Sequence, residues 1–147
     1  MTAPLPYPPP ELAVVVPTYR EVDNVEELTR RVALALEGIH WELIFVDDDS
    51  PDGTAAAFRA TNTKCPKVSL DITSAHPGKG ANVVAFFEYC AENGIEAAAI
   101  LDADVTSITP GWIASLIQPA AAGQAAMVFP LYRRHRFDGA TTNLFAY

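Results

Sequence analysis

Two groups of carboxylates stand where apolar runs end, and they carry the chemistry of this sequence. Glu42-Leu43-Ile44-Phe45-Val46 leads into Asp47, Asp48 and Asp49, then Ser50-Pro51-Asp52-Gly53-Thr54. Ala97-Ala98-Ala99-Ile100-Leu101 leads into Asp102-Ala103-Asp104. Carboxylates gathered at strand ends repel one another, so a fold that keeps them there supplies a cation or a hydrogen-bonding ligand. Ligands of open α/β sheets bind at the carboxyl ends of the strands. The two groups therefore point to one site, for a nucleotide carrying a divalent metal. Either group alone would be explained by a solvated turn, where Asp is common. Asp49 is expected to face solvent and Asp52 to cap the following helix.

The elements that must position these groups follow from pattern. Leu12-Ala13-Val14-Val15-Val16 is a continuous apolar run ended by Pro17, which suits a strand covered on both faces. Asp23 or Asn24 is placed to cap a helix with Val25, Leu28, Val32 and Leu36 on one face, ended near Gly38. Residues 41–46 read as a second strand, 54–60 as a short helix and 68–72 as a third strand. Gly78-Lys79-Gly80 opens a helix that ends at Asn93-Gly94. Residues 97–101 form a fourth strand and 110–122 a helix with Pro at its first turn. A fifth strand is expected at 126–129. Such β-α alternation implies a parallel, doubly wound, Rossmann-like sheet with right-handed crossovers. Phe86, Phe87 and Tyr89 are read as core or helix surface, and Trp112 as a packing residue rather than a sugar platform.

Composition narrows the function. The 147 residues suit one domain, and 50% hydrophobic with 19% charged residues is globular. A net charge of −8 argues against a nucleic-acid partner, whose phosphates require cations. Cys65 and Cys90 have no metal-type spacing and read as reduced thiols of a cytoplasmic protein. No run reaches the roughly 18 apolar residues of a membrane span. Residues 1–11 form a Pro-rich arm without signal-peptide character.

Val14-Val15-Val16-Pro17-Thr18-Tyr19-Arg20-Glu21, with Asn24 following, resembles the opening motif of glycosyltransferase family 2. The segment from Phe45 to Thr54 looks like the nucleotide motif of its dolichyl-phosphate mannosyltransferase branch, and Gly78-Lys79-Gly80 and Leu101-Asp102-Ala103-Asp104 follow in the family's order. The resemblance covers residues 12–130. It implies a GT-A fold and transfer of a sugar from a nucleoside diphosphate sugar, a UDP- or GDP-sugar. By resemblance Pro17, Thr18, Tyr19 and Glu21 border the base and ribose, and Asp48 accepts a hydrogen bond from the base. Asp102, Ala103 and Asp104 form the DxD motif. Asp104 binds Mn2+ or Mg2+, and Asp102 contacts the ribose or the metal shell. Lys79, near a helix N-terminus, suits the phosphates.

The segment 131–147 reads as the start of an acceptor side. Val105 to Ile113 and Phe129 to Asn143 resemble the retaining mannosylglycerate and glucosyl-3-phosphoglycerate synthases. Arg133, Arg134, His135 and Arg136 form either a solvated basic loop or a clamp for a phosphorylated or carboxylate acceptor. Neither a general base nor a histidine metal ligand can be picked out. The chain thus resembles the nucleotide-binding half of a longer enzyme, acting on an anionic or lipid-phosphate acceptor. Membrane association through segments outside it, and self-association through an exposed sheet edge, are compatible with this reading. The alternatives are a non-catalytic nucleotide-sugar-binding fragment and a nucleotidyltransferase. The latter is disfavoured because Pro17-Thr18-Tyr19-Arg20-Glu21 stands where its Gly-rich loop would be.

Overall fold

A computed structural model describes residues 11–61, 67–71, 78–105 and 108–130. The element order is β1 (Leu12–Thr18), α1 (Val25–Ala35), β2 (Trp41–Asp47), α2 (Thr54–Ala60), β3 (Lys67–Asp71), α3 (Lys79–Asn93), β4 (Ala97–Ile100) and α4 (Pro110–Ala121). The sheet has four strands in the order β3-β2-β1-β4, and every pairing is parallel. Leu12 pairs with Trp41 on one side and with Ala97 on the other. The chain steps outward from β1 to β3, then returns across the sheet to β4. The order reverses between β1 and β4, and a crevice opens at such a point beyond the strand ends.

β1 and β2 are buried on both faces, as their unbroken apolar runs require. Alternate residues serve opposite layers. Val14, Val16, Leu43 and Phe45 pack with Val25, Leu28, Val32, Phe58, Ile113 and Ile117, the inward faces of α1, α2 and α4. Ala13, Val15, Ile44 and Val46 pack with Phe86 and Cys90 of α3 on the other face. Trp112 packs against the first cluster. Thr109 caps α4 by accepting the Trp112 N–H at 3.2 Å, and Pro110 takes the first turn.

Two local expectations are corrected. Asn24 occupies the N-cap position of α1 but makes no side-chain cap; its amide donates instead to Glu21 Oε2 at 2.7 Å. Residues 126–129 are irregular, with Met127 and Phe129 68% and 76% exposed. An apolar run becomes a strand when a neighbouring strand offers a ladder, and this one pairs with none of the described strands.

One buried acid lies away from the strand tips. Glu42, 3% exposed on β2, accepts the Tyr89 hydroxyl hydrogen at 2.7 Å, and its Oε2 has no partner among the described residues. Burial pushes its pKa up, against the lowering effects of Tyr89 and His40. A carboxyl whose folded pKa is raised contributes stability at acid pH that is lost as pH climbs through the folded value. Glu42→Gln is therefore expected to gain on the wild type as pH rises above 4.5, the ordinary glutamate value. Thermal melts of both proteins from pH 4.5 to 8 should show the gap widening in favour of Gln. A gap independent of pH would refute the ionised-state cost.

Candidate functional site

The cleft at the reversal point has a volume of ≈ 270 Å³ and collects residues from the ends of β1, β2 and β4 and from the start of α3. Pro17 and Thr18 end β1, Tyr19 and Glu21 continue from it, and Asp48 follows β2. Lys79 and Asn82 come from the start of α3, and Asp102, Ala103 and Asp104 follow β4. All nine residues expected for donor and metal thus line one cavity. Arg133, Arg134, His135 and Arg136 lie outside the described residues.

The acidic triplet after β2 divides its labour. Asp47 is 4% exposed and turned inward, accepting from the Thr18 hydroxyl at 3.1 Å, the Ser50 N–H at 2.9 Å and the Ser50 hydroxyl at 2.6 Å. Asp49 is exposed with φ of 54°, a left-handed conformation that Asp tolerates better than most residues. Asp48 is held by its backbone, its N–H donating to Thr18 O at 3.1 Å, and lines the cleft between them.

A second latch fixes the loop after β1. The Arg20 N–H donates to Ser50 Oγ at 2.9 Å, and Arg20 itself is left-handed, with φ of 60°. The Glu21 N–H donates to Thr54 Oγ1 at 2.9 Å, and the Thr54 hydroxyl donates to Asp52 Oδ1 at 2.6 Å. Asp52 also accepts the Thr54 N–H at 3.1 Å, so it serves the start of α2 as expected. Non-glycine residues at positive φ cost about 1–3 kcal/mol and persist where surrounding contacts over-determine them. These latches supply such contacts and set Glu21 and Asp48 rigidly at the rim. Thr54 is fully buried, so Thr54→Val leaves the Glu21 N–H without its acceptor and should destabilise the fold by about 1–3 kcal/mol. Chemical denaturation would measure this, and an unchanged midpoint would show that the latch contributes nothing.

On the opposite wall, Lys79 Nζ forms an ion pair with Asp102 Oδ1. Both side chains are substantially exposed, so the pair holds loosely and can exchange partners. Gly78 precedes α3 with φ of 139°, a region essentially reserved to glycine, and has no side chain to cap the helix. The first-turn N–H groups of α3 receive no side-chain cap from Gly78 and can serve an anion.

The fit of a divalent cation can be judged from the donor set. No group of three His, Cys, Asp or Glu side chains gathers as a metal cage among the described residues. Asp102 and Asp104 flank Ala103 in the cleft, and the Asp104 carboxylate makes no hydrogen bond or ion pair with the described residues. Mg2+ and similar hard cations are held by one or two carboxylates together with substrate phosphates, so two such groups facing a cleft suffice.

Asn82 was not foreseen. Its signal was its place three residues after Lys79, hence on the same face of α3; its partner, Val46, lies 36 residues away in sequence.

Comparison with known proteins places this geometry. The model of glycosyl transferase family 2 matches residues 13–144. Dolichol-phosphate mannosyltransferase of Pyrococcus furiosus is 34% identical over 95 residues, which is 65% of this chain and 26% of that protein. Among solved structures, the mannosyltransferase PcManGT of Pyrobaculum calidifontis, in complex with GDP-Man and Mn2+, superposes with a TM-score of 0.55 at 27% identity. The match covers 69% of this chain and 30% of that one. Glucosyl-3-phosphoglycerate synthase of Mycobacterium tuberculosis, with Mn2+, UDP and glucosyl-3-phosphoglycerate, gives a TM-score of 0.58 at 24% identity. It covers 75% of this chain and 39% of that one, a likeness of fold. The chain therefore spans between about a quarter and two-fifths of the length of these proteins.

Proposed function

The chain belongs to glycosyl transferase family 2, with its GT-A fold, and from this premise we propose that it forms the donor-binding part of a metal-dependent glycosyltransferase. The donor is a UDP- or GDP-sugar, and the acceptor an anionic group, a lipid phosphate in preference. The observation that carries this reading is the convergence of nine residues from four separate segments on one cleft at the strand ends.

Each group has a task. Pro17, Thr18, Tyr19 and Glu21 form the nucleoside wall. Asp48 accepts a hydrogen bond from the base. Asp102 and Asp104 would hold Mn2+ or Mg2+, which as a Lewis acid supplies stabilisation of the charge that builds on a diphosphate leaving group. Lys79 exchanges Asp102 for a phosphate oxygen, and the open start of α3 presents N–H groups to the same anion. The latched loops hold Glu21 and Asp48 in place before the donor arrives, so little ordering free energy is lost there on binding. The lipid-phosphate acceptor is favoured by the likeness to a dolichol-phosphate enzyme. Arg133, Arg134, His135 and Arg136 would receive the acceptor's anionic group. Cytoplasmic location is proposed from reduced-thiol usage, with Cys90 a buried free thiol. Among the described residues no helix is long and apolar enough to cross a membrane.

The test is calorimetric titration of the chain with UDP and GDP, with and without Mn2+. Metal-dependent binding of one nucleotide is the expected result and names the base. A folded chain that binds neither would overturn the donor-site reading. Binding without sugar transfer or donor hydrolysis would favour a non-catalytic binding fragment.

A further inference from the structure

Asn82 lines the cleft although its side chain is 2% exposed. Its Nδ2 donates to the Val46 carbonyl at 3.2 Å. Its Oδ1 is closed to solvent and has no hydrogen-bond partner among the described residues. A carbonyl oxygen only accepts, so Val46 fixes which end of the amide faces the strand. The NH2 group must face Val46, and Oδ1 is turned away from it with both lone pairs unused. A buried amide oxygen without a donor costs free energy that a suitable partner recovers.

We propose that Asn82 is a specificity-determining residue for the nucleoside part of the donor, its Oδ1 accepting a hydrogen bond from a base N–H or a ribose O–H. This rests on the donor-binding reading of the cleft. The chemistry of the acceptor selects the ligand group. The diphosphate of a nucleotide sugar is esterified at both ends and carries no proton to give at neutral pH, so Asn82 cannot serve it, whereas base imino or amino groups and ribose hydroxyls can donate. Position agrees. Asn82 lies about 4.5 Å deeper along α3 than Lys79, from the rise of the helix, and is bonded to Val46, two residues before Asp48. It thus shares the cleft lining with the group assigned to phosphate and the group assigned to the base. A neutral acceptor adds no charge to a wall that already holds Glu21, Asp48, Asp102 and Asp104, so it reads the nucleoside without further repelling the diphosphate.

The experiment compares UDP, GDP and inorganic pyrophosphate, each with Mg2+, by calorimetric titration of the wild type, Asn82→Ala and Lys79→Ala. Asn82→Ala should weaken the nucleotide that the wild type binds by about tenfold, a typical loss for one hydrogen bond, and leave pyrophosphate unchanged within twofold. Lys79→Ala should weaken both. Equal losses for nucleotide and pyrophosphate in Asn82→Ala, or no loss for either, would overturn the assignment. Asn82→Leu, which keeps the side-chain volume without polar atoms, carries the same comparison if Asn82→Ala fails to fold. A wild type that binds neither nucleotide defeats the donor-site reading and this inference with it. A wild type that binds, alongside Asn82 variants that bind equally well, defeats this inference alone.

Discussion

Asp104→Asn is expected to weaken Mn2+-dependent nucleotide binding by on the order of 100-fold and to leave binding without metal unchanged. A carboxylate bound to a divalent cation in a phosphate site contributes several kcal/mol, and each 1.4 kcal/mol is tenfold in affinity. The fold should tolerate the change. Asp104 is exposed and bonds to none of the described residues, and substitutions of that kind stay within about 0.5 kcal/mol of neutral. Asp49→Asn is the matched control: also exposed, also beside the cleft, and held at a positive φ that Asn accepts readily. Titrations of the three proteins with and without Mn2+ decide the matter. Equal metal dependence in the wild type and Asp104→Asn would remove Asp104 from the metal's shell.

Phe45→Ala should produce the largest loss of stability of any single truncation considered. Phe45 is 1% exposed at the centre of β2, and its ring lies 4.2 Å from that of Phe58, between centroids. It therefore joins the sheet to α2 within the larger core cluster. Truncating a buried Phe costs about 3–5 kcal/mol, transfer and cavity together, against about 5–15 kcal/mol for a whole domain. The melting temperature should fall by roughly 10 °C or more. The same truncation also endangers the site, because Asp47 and Asp48 follow Phe45 and Val46 directly. Thermal melts would test the claim, and a fall under 3 °C would mean that the cavity refills by collapse.

What could be read from sequence was whatever lies within a short stretch of chain. Unbroken apolar runs announced β1 and β2 because burial on both faces leaves no polar alternation. The residues of the cleft could be named because each sits at the end of such a run or at the start of a helix. Their convergence required only that parallel strands place their carboxyl ends on one edge. What was missed depends on distant partners. Residues 126–129 have the composition of a strand and no ladder to join among the described strands. Asn24 has a capping side chain that Glu21 claims instead. Asn82 looks like any polar helix residue until Val46 is seen beside it. Asp47 resembles its neighbours in composition and differs from them through Thr18 and Ser50. The Arg133 to Arg136 group lies outside the described residues.

The pairing of Leu12 with Ala97 has a consequence for how the molecule assembles. β1 and β2 meet across a single helix, whereas β4 joins the opposite side of β1 after more than half the chain has intervened. Such distant pairings are slow, because loop closure is opposed by entropy before any contact compensates it. Among the described residues β4 is also a four-residue strand at the edge of the sheet, so it contributes few ladder bonds there. The carboxylates of Asp102 and Asp104 are therefore expected to arrive at Asp48 late in folding and to separate from it early in unfolding. A ligand that spans them binds the completed sheet alone. Its binding free energy should appear as slower exchange of the β4 amides with solvent, more than of those in the β1–β2 centre.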